Sequence, residues 1–260
     1  MSAPPYPKIE CRFQRREDHT LNLEQIRRAE FGLVDRWMAT EKIDGTNIRV
    51  SLEPHAGTGV WVVRFYGRTN RAQMPDFIQE YLEATFGLDD MQNLWLGKRN
   101  CDKCDGTGQY DSGEPKVLTR NYPGHRDYQC DCVEPYPITL YGEAYGARIQ
   151  KGGGDYRKGG DISFRLFDVL VGEKSWLGWD NMVSVAEMLG VKTVPRLGAG
   201  FDILYTASET IDIVRHGFKS KVAEAEGTPR LAEGIVARTD PYLFDGNGRR
   251  VVWKIKTKEF

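Results

Sequence analysis

Four short segments rich in β-branched and aromatic residues constrain the fold of this chain more than any other feature. They are residues 138–146, 163–171, 233–238 and 250–256. Each has the length and composition of a β-strand. Two further strand candidates, 47–52 and 60–66, are separated by Pro54 and two glycines, which predicts a hairpin. Because helices do not alternate strictly with these strands, the sequence predicts an α+β domain with mostly antiparallel sheets.

Start and stop signals predict helices beside the sheets. Three helices are expected, each ended by a glycine. They begin at Asp76, Asp180 and Ser208. A short helix is also predicted after Asn22, with Leu23 and Ile26 on one face. Residues 1–20 are rich in proline and charge, so we expect an irregular arm that ends in a strand.

Length, charge and hydropathy exclude several classes of protein. The 260 residues suit one large domain, so we expect residues 1–260 to form a single domain. The formal net charge of −1 gives no indication of nucleic-acid binding, although 36 Lys and Arg residues allow a local basic face. No apolar run approaches the roughly 20 residues of a membrane helix, and the N-terminus lacks a signal-peptide core. The sequence therefore predicts a cytoplasmic protein.

Residues 98–137 interrupt the pattern of strands and helices, because they are rich in Cys, Asp, Gly, Pro and Arg and nearly lack aliphatic residues. Four of the five cysteines lie in this segment, namely Cys101, Cys104, Cys130 and Cys132. In a reducing compartment such a cluster indicates metal binding rather than disulfides, and four thiolates form a closed zinc site. We therefore predict a zinc-binding insert, with His125 as a substitute ligand. The alternative is four free cysteines in a loop.

The segment Glu41–Asn47, with the sequence EKIDGTN, carries a lysine just before an Asp-Gly pair. The plain interpretation is a turn, since Asp-Gly commonly connects hairpin strands. The alternative is that Lys42 is a nucleophile. An ordinary lysine is a poor nucleophile at neutral pH, but burial or nearby cations lower the pKa of a lysine and activate it. The glycine would let the backbone approach a nucleotide closely.

Charged and aromatic residues on the later strands also allow both a plain structural interpretation and a functional one. Glu233 lies at the start of one strand, and Lys254 and Lys256 share one face of the last strand at a period of two. These strands could simply be solvated, with the lysines protecting an edge. A polyphosphate site, however, needs clustered cations and a metal-binding carboxylate. In the plain interpretation, Glu143 is an exposed acid and Phe167 is a core aromatic. In the functional interpretation, Glu143 binds ribose or metal and Phe167 stacks on a base.

The order of these motifs is that of covalent nucleotidyltransferases. Lys-x-Asp-Gly is followed by Arg-Thr, Gly-Glu, Phe-Asp, Glu-Gly-Ile-Val and Lys-x-Lys. Over residues 38–260, excluding the insert, the chain resembles the RNA ligase 2 family. Asn47 is typical of RNA ligases, whereas DNA ligases and capping enzymes usually carry arginine there. The resemblance implies the nucleotidyltransferase fold, an ATP-grasp-like adenylation domain with antiparallel sheets flanked by helices and the ATP pocket between them.

The resemblance also implies two sets of site residues. The catalytic set is Lys42, which would take AMP, and Glu233, Lys254 and Lys256, which would serve the metal and the phosphates. The nucleotide-binding set, which shares the last two lysines, is Glu41 near the adenine, Asn47 and Arg68 at the nucleotide or 5′-phosphate, Glu143 at the ribose, and Phe167 on the adenine.

The implied function is ATP-dependent RNA ligation in RNA repair, through a lysyl-AMP intermediate and an adenylylated 5′ end. Its cofactors would be ATP and Mg²⁺ or Mn²⁺, beside structural Zn²⁺. The substrate would be RNA with 5′-phosphate and 3′-hydroxyl ends, in a nicked duplex or a cleaved RNA. A DNA or mixed nick ligase, a guanylyltransferase and a non-catalytic end-binding adaptor remain as alternatives. Since the sequence ends four residues after Lys256, we expect no C-terminal OB or helical domain, and a partner protein could supply end binding.

Overall fold

Two β-sheets form the framework of the protein. The computed structural model describes residues 3–96, 109–110, 128–129, 136–146, 149, 156–157, 160–198 and 203–260. The four-stranded sheet consists of β1 (Glu10–Cys11), β4 (Met38–Lys42), β13 (Gly234–Arg238) and β14 (Val252–Lys256), in the order β1-β14-β13-β4. A small hairpin, β2 (Phe13–Arg15) and β3 (Leu21–Ile26), lies between β1 and β4 in sequence.

The six-stranded sheet is built around three long neighbouring strands. Its members are β5 (Thr46–Pro54), β6 (Trp61–Tyr66), β9 (Ile138–Gly146), β10 (Ile162–Val171), β11 (Ser175–Trp176) and β12 (Lys192–Thr193). The order is β11-β10-β9-β5-β6, and β12 pairs with β10. A separate pair, β7 (Gln109–Tyr110) and β8 (Tyr128–Gln129), completes the strands. Among the described strand pairs, β1 with β14 and β10 with β12 are parallel, and the others are antiparallel.

Helices cover the sheets on their apolar faces. They are α1 (Glu30–Leu33), α2 (Asp76–Thr85), α3 (Leu88–Leu96), α4 (Trp179–Met188), α5 (Ala207–His216), α6 (Lys221–Ala225) and a 3₁₀ turn at Thr257–Glu259. Thr206 and Glu209 form a reciprocal capping box at the start of α5, which explains where that helix begins. None of the described helices is long and apolar enough to span a membrane.

Each sheet has its own hydrophobic core. One face of β5, with Ile48, Val50 and Leu52, packs with β9, β10 and helices α2, α3 and α4. The second core joins the four-stranded sheet to α1 and α5, and contains Trp37 and Trp253 with ring centroids 5.4 Å apart. Burial of an aliphatic or phenylalanine side chain in either core contributes about 1.5–3 kcal/mol. The two cores hold the two sheets as separate walls, and the chain crosses from one to the other directly after β4.

The predicted α+β fold with mostly antiparallel sheets is confirmed, and each of the six strand candidates forms a strand with small shifts at its ends. The helices predicted from Asp76, Asp180 and Ser208 are also present. The helix predicted after Asn22 is wrong, because this segment is β3, paired with β2. Within β3 only Leu21 is well buried, so Leu23 and Ile26 do not form the buried apolar face that the predicted helix required.

The predicted zinc ligands Cys101, Cys104, Cys130 and Cys132, and the substitute His125, lie outside the described residues. Within the described ranges, no group of three or more His, Cys, Asp or Glu side chains could hold a metal ion. The zinc site therefore stays a prediction.

Candidate active site

The lysine of the EKIDGTN segment lies where the chain crosses between the sheets. Lys42 is the last residue of β4, and β5 of the other sheet begins at Thr46. Gly45 permits this crossing, because a Cβ atom there would lie 2.2 Å from the carbonyl oxygen of Ala144. The segment is therefore held by both sheets, which fixes the backbone beneath the lysine.

Lys42, Glu233 and Lys256 form a compact charged group, here called the Glu233 cluster. Lys42 pairs with Gly234 on β13, and Gly234 pairs with Lys256 on β14. Both lysine Nζ atoms lie 2.6 Å from Glu233, one on each carboxylate oxygen. Burial raises the pKa of Glu233, but the charges of Lys42 and Lys256 outweigh it and hold the pKa below its usual range. Glu233 is therefore a carboxylate that orients two ammonium groups.

Lys254 extends this positive region along the same face of β14. It lies two residues before Lys256, and both line the cavity beside Lys42. Burial lowers the pKa of Lys254, and the charges of Lys42, Lys256 and Arg68 lower it further. Glu233 only partly offsets the repulsion among these cations, so the region is electrostatically suited to a polyphosphate.

Glu143 and Asn47 are paired across β9 and β5 on the same side of the cavity. Burial raises the pKa of Glu143 to about 7, with Lys42 opposing this rise and Glu233 adding to it. The Oδ1 atom of Asn47 is buried and has no hydrogen-bond partner in the described part of the chain. Buried polar atoms are usually satisfied, so this oxygen is a natural contact point for a bound group.

Phe167 also lines the cavity, at an irregularity in β10. Leu166 pairs with Gly142 of β9 but Asp168 pairs with Tyr141, so one residue of β10 is left over between them. Such a bulge redirects side chains. The ring of Phe167 is half-buried, lines the cavity, and meets the ring of Tyr6 edge-on with centroids 5.0 Å apart.

The N-terminal arm supplies a wall that the sequence did not indicate. Residues 6–9 line the cavity together with the lysines. The arm is held by hydrogen bonds from Tyr141 to the carbonyl of Pro4 (2.9 Å) and from Tyr6 to Asp168 (2.5 Å). No sequence signal links an arm to a strand more than 130 positions away, so only the folded chain reveals this wall.

Glu41 and Arg68 complete the set of predicted residues. The Glu41 carboxylate is buried and accepts hydrogen bonds from the Ser220 hydroxyl and from the backbone N–H groups of Lys221 (2.9 Å) and Val222 (3.3 Å). It therefore caps helix α6 while its residue still lines the cavity. Arg68 is exposed on the loop after β6, at the rim.

The cavity has a volume of about 340 Å³, within the range of small-molecule sites. Each residue predicted to be catalytic or nucleotide-binding lines it: Glu41, Lys42, Asn47, Arg68, Glu143, Phe167, Glu233, Lys254 and Lys256. A lysine beside a carboxylate, a row of cations and an aromatic wall can together accommodate a base and a polyphosphate.

Sequence comparison assigns the chain to a family. The model of the RNA ligase family matches residues 35–256, which include both sheets and the cavity. The chain belongs to the RNA ligase family. No curated protein matches its sequence significantly.

Solved structures with the same fold include archaeal and Naegleria gruberi RNA ligases. One form of an archaeal ATP-dependent RNA ligase has a TM-score of 0.53 at 17% identity, covering 99% of this chain and 49% of the other. A second form of the archaeal enzyme gives 0.51 at 17% identity, with coverages of 98% and 48%. A Naegleria gruberi RNA ligase with ATP and Mn gives 0.52 at 14% identity, with coverages of 97% and 62%. This RNA ligase family member thus spans about half the length of both archaeal structures, and the likeness establishes the fold alone.

Proposed function

We propose that this chain is an ATP-dependent RNA ligase that works through a covalent AMP adduct on Lys42. The Nζ atom of Lys42 would attack the α-phosphorus of ATP, forming an N–P bond as the bond to the bridging oxygen breaks and pyrophosphate leaves. AMP would pass to a 5′-phosphate end of RNA. A 3′-hydroxyl would then attack that end, join the strands and release AMP.

One observation carries this proposal: the Lys42 Nζ lies in a nucleotide-sized cavity, 2.6 Å from a carboxylate that also holds Lys256. A nucleophile must be oriented before it attacks, and orientation alone can supply several kcal/mol of rate enhancement. Glu233 provides that orientation. For attack, Nζ must first lose a proton. Because Lys42 and Lys256 hold the pKa of Glu233 low, its carboxylate would orient Nζ without keeping that proton, which would leave with the pyrophosphate.

The other cavity residues suit the remaining demands of phosphoryl transfer. Charge builds up on the phosphate oxygens in the transition state, and fixed cations there stabilise it. Lys254 and Lys256 would provide this for the first step, and Arg68 at the rim for the nucleotide or the 5′-phosphate end. Phe167 would stack on the adenine, and Glu143 would serve both the ribose and the metal ion described next.

A divalent cation would accompany ATP, and the available donors fit one. Glu233 has both oxygens committed to lysines, whereas Glu143 forms no ion pair with any described residue and the Asn47 Oδ1 lacks a partner. Oxygen donors of this kind suit Mg²⁺ or Mn²⁺. Glu143 and Asn47 would hold the ion, which neutralises polyphosphate charge when bound.

The test is incubation with α-labelled ATP and magnesium, followed by a denaturing gel. We expect a labelled protein band for the wild type and none for Lys42→Ala. Lys192→Ala serves as the matched control, because Lys192 is exposed on β12 and does not line the cavity. Failure to label purified wild type with either metal would reject the enzyme and favour an end-binding adaptor.

The nucleotide and substrate are decided by two further comparisons. Label from GTP instead of ATP would indicate a guanylyltransferase. A panel of nicked duplexes and cleaved single strands, with RNA or DNA on each side of the break, would separate an RNA ligase from a DNA or mixed ligase. We expect sealing of RNA with 5′-phosphate and 3′-hydroxyl ends, as in RNA repair in the cytoplasm. If purified protein labels itself but does not seal, an accessory end-binding protein is the next partner to seek.

We also propose that residues 1–260 act as one adenylyltransferase domain carrying a zinc-binding insert at 98–137. The support is the pairing of Cys101 with Cys104 and of Cys130 with Cys132 in sequence. One zinc per chain is expected in purified protein, with loss of zinc and stability in Cys104→Ser. If the wild-type protein contains no metal and is no more stable than Cys104→Ser, four free cysteines are the correct interpretation.

A further inference from the structure

The outer face of β5 is buried and polar, unlike its apolar inner face. Arg49, Ser51 and Glu53 alternate with the core residues of this strand and are 0%, 1% and 4% exposed. Buried charges are costly unless they are paired or hydrogen-bonded. The partners of these side chains therefore indicate why the strand carries them.

The Arg49 guanidinium joins two separate segments. Its Nε donates to the carbonyl of Gly67 (2.9 Å), and one terminal nitrogen donates to the Asn70 side chain (2.9 Å). The other terminal nitrogen donates to the carbonyl of Ala3 (2.5 Å). The Tyr66 ring lies beneath the guanidinium, 4.9 Å away. All three nitrogens are thus used, on two segments with no sequence proximity.

Both segments are walls of the nucleotide cavity. Ala3 belongs to the N-terminal arm whose residues 6–9 line the cavity, and its backbone N–H donates to the Glu53 carboxylate (3.1 Å). Gly67 and Asn70 flank Arg68, the cation at the rim. Arg68 itself is exposed, so its backbone must be held from below if its side chain is to have a defined place.

We propose that Arg49 is a positioning residue. It holds the Arg68 loop (residues 67–70) and the N-terminal arm in a fixed position relative to each other beside the cavity. This inference rests on the proposed ligase function and extends it to a residue outside the cavity. A planar guanidinium with three donor nitrogens can serve three acceptors in fixed directions, whereas a lysine ammonium at the same place cannot. Arg49 acts through Arg68 and does not itself touch the nucleotide.

The experiment compares Arg49→Lys with Arg68→Ala, alone and combined, in two assays. One assay measures lysyl-AMP formation, and the other measures sealing of RNA whose 5′ end is already adenylylated. We expect Arg49→Lys to lower the rate of the step that Arg68→Ala impairs by about tenfold. Misplacing a contact group by a fraction of an ångström has effects of this order. The double variant should be little worse than Arg68→Ala alone, because both changes remove one function.

Arg165→Lys is the matched control. Arg165 is also a buried arginine with several partners, but it does not line the cavity and bonds Tyr145 (3.1 Å) and Thr193 (3.0 Å) instead. Its effect should combine additively with that of Arg68→Ala. Should Arg49→Lys fail to fold, Asn70→Ala removes a single exposed contact, and we expect about a threefold loss in the same step.

Two results would overturn the inference: equal loss in both steps, or full additivity with Arg68→Ala, either of which marks Arg49 as merely structural. If the wild type forms no adduct, the proposed function fails on its own. ATP affinity measured by calorimetry then decides about Arg49. If both single variants bind ATP more weakly and the two effects are not additive, the positioning role is supported. Unchanged ATP affinity in either variant rejects it, as does absence of ATP binding by the wild type.

Discussion

Two charged groups at opposite ends of the β13–β14 pair have the same arrangement, in which one carboxylate lies between two cations. Glu233 and Lys256 lie at one end, completed by Lys42. At the other end, about 14 Å along the strands, Asp168 of β10 lies between Arg238 and Arg250. This second group, with Tyr6 and Tyr242, is here called the Asp168 cluster.

The two groups differ in burial and in the kind of cation. Asp168 is 0% exposed and accepts hydrogen bonds from Tyr6 (2.5 Å), Tyr242 (2.8 Å) and Arg250 (2.8 Å). The Glu233 side chain is 11% exposed, and its lysine partners are 20% and 24% exposed. Arginine stays charged and makes fixed, directional bonds, whereas lysine can lose its proton and move. The arginine group therefore fastens the arm and strands together, while the lysine group is suited to the proposed chemistry.

The largest effect should come from Asp168→Asn. Its loss leaves two buried guanidinium groups without a counter-charge, and breaking a buried ion pair from one side costs about 3–5 kcal/mol. We expect a melting temperature roughly 10 °C lower, measured by circular dichroism. Adduct formation per folded molecule should stay within about threefold of wild type at low temperature. A stable but inactive variant would mean that this group belongs to the chemistry.

Glu233→Gln should show the opposite pattern. It keeps the shape of the side chain but removes the charge that orients Lys42, so we expect adduct formation to fall by about 100-fold or more. Unfolding free energy should fall by less than about 1.5 kcal/mol, because the two lysines can turn to water. Single-turnover labelling and urea denaturation measure the two quantities. Equal stability losses for Glu233→Gln and Asp168→Asn would remove the contrast between the clusters.

Lys254→Met should separate function from stability. The pKa of Lys254 is lowered by burial and by neighbouring cations, so its charge opposes folding. Replacement by an uncharged side chain of similar length is expected to stabilise the fold by about 0.5–1 kcal/mol while slowing adduct formation. Lys192→Met, on exposed β12, is the control and should change neither. A less stable Lys254→Met would show that this charge is favourable in the free protein.

The smallest effect is on acid stability. The pKa values of Asp168 and Glu233 are both below their usual range, despite burial, because of their cations. A carboxylate with a lowered folded pKa stabilises the fold above its unfolded pKa and loses that contribution as pH falls through the folded pKa. Melting temperature should therefore decline below about pH 4. The decline should be shallower in Asp168→Asn and, to a lesser degree, in Glu233→Gln; identical curves for all three would contradict these directions.

Local patterns predicted the elements of the fold where pattern and packing agree. The alternation in β5 and β14 and the glycine stops of α2, α4 and α5 led to the correct elements. The segment after Asn22 failed because its apolar spacing suits a helix, while pairing with β2 stabilises a strand. The bulge at Phe167 could not be predicted, since it depends on the register with β9. The insert at 98–137 stays a prediction from composition, since most of it lies outside the described residues.

The sequence by itself determined which chemical groups are available: a lysine before Asp-Gly, two lysines at a period of two, and acids and an aromatic ring at strand positions. Only the tertiary structure decided which groups meet. Lys42 and Glu233 are 191 residues apart and 2.6 Å from each other. Glu233 and Asp168 look alike as strand-associated acids, yet one lies in the cavity and the other in the interior. Burial and pairing arise from contacts between distant segments, and these set pKa values and charge balance in ways that no local pattern encodes.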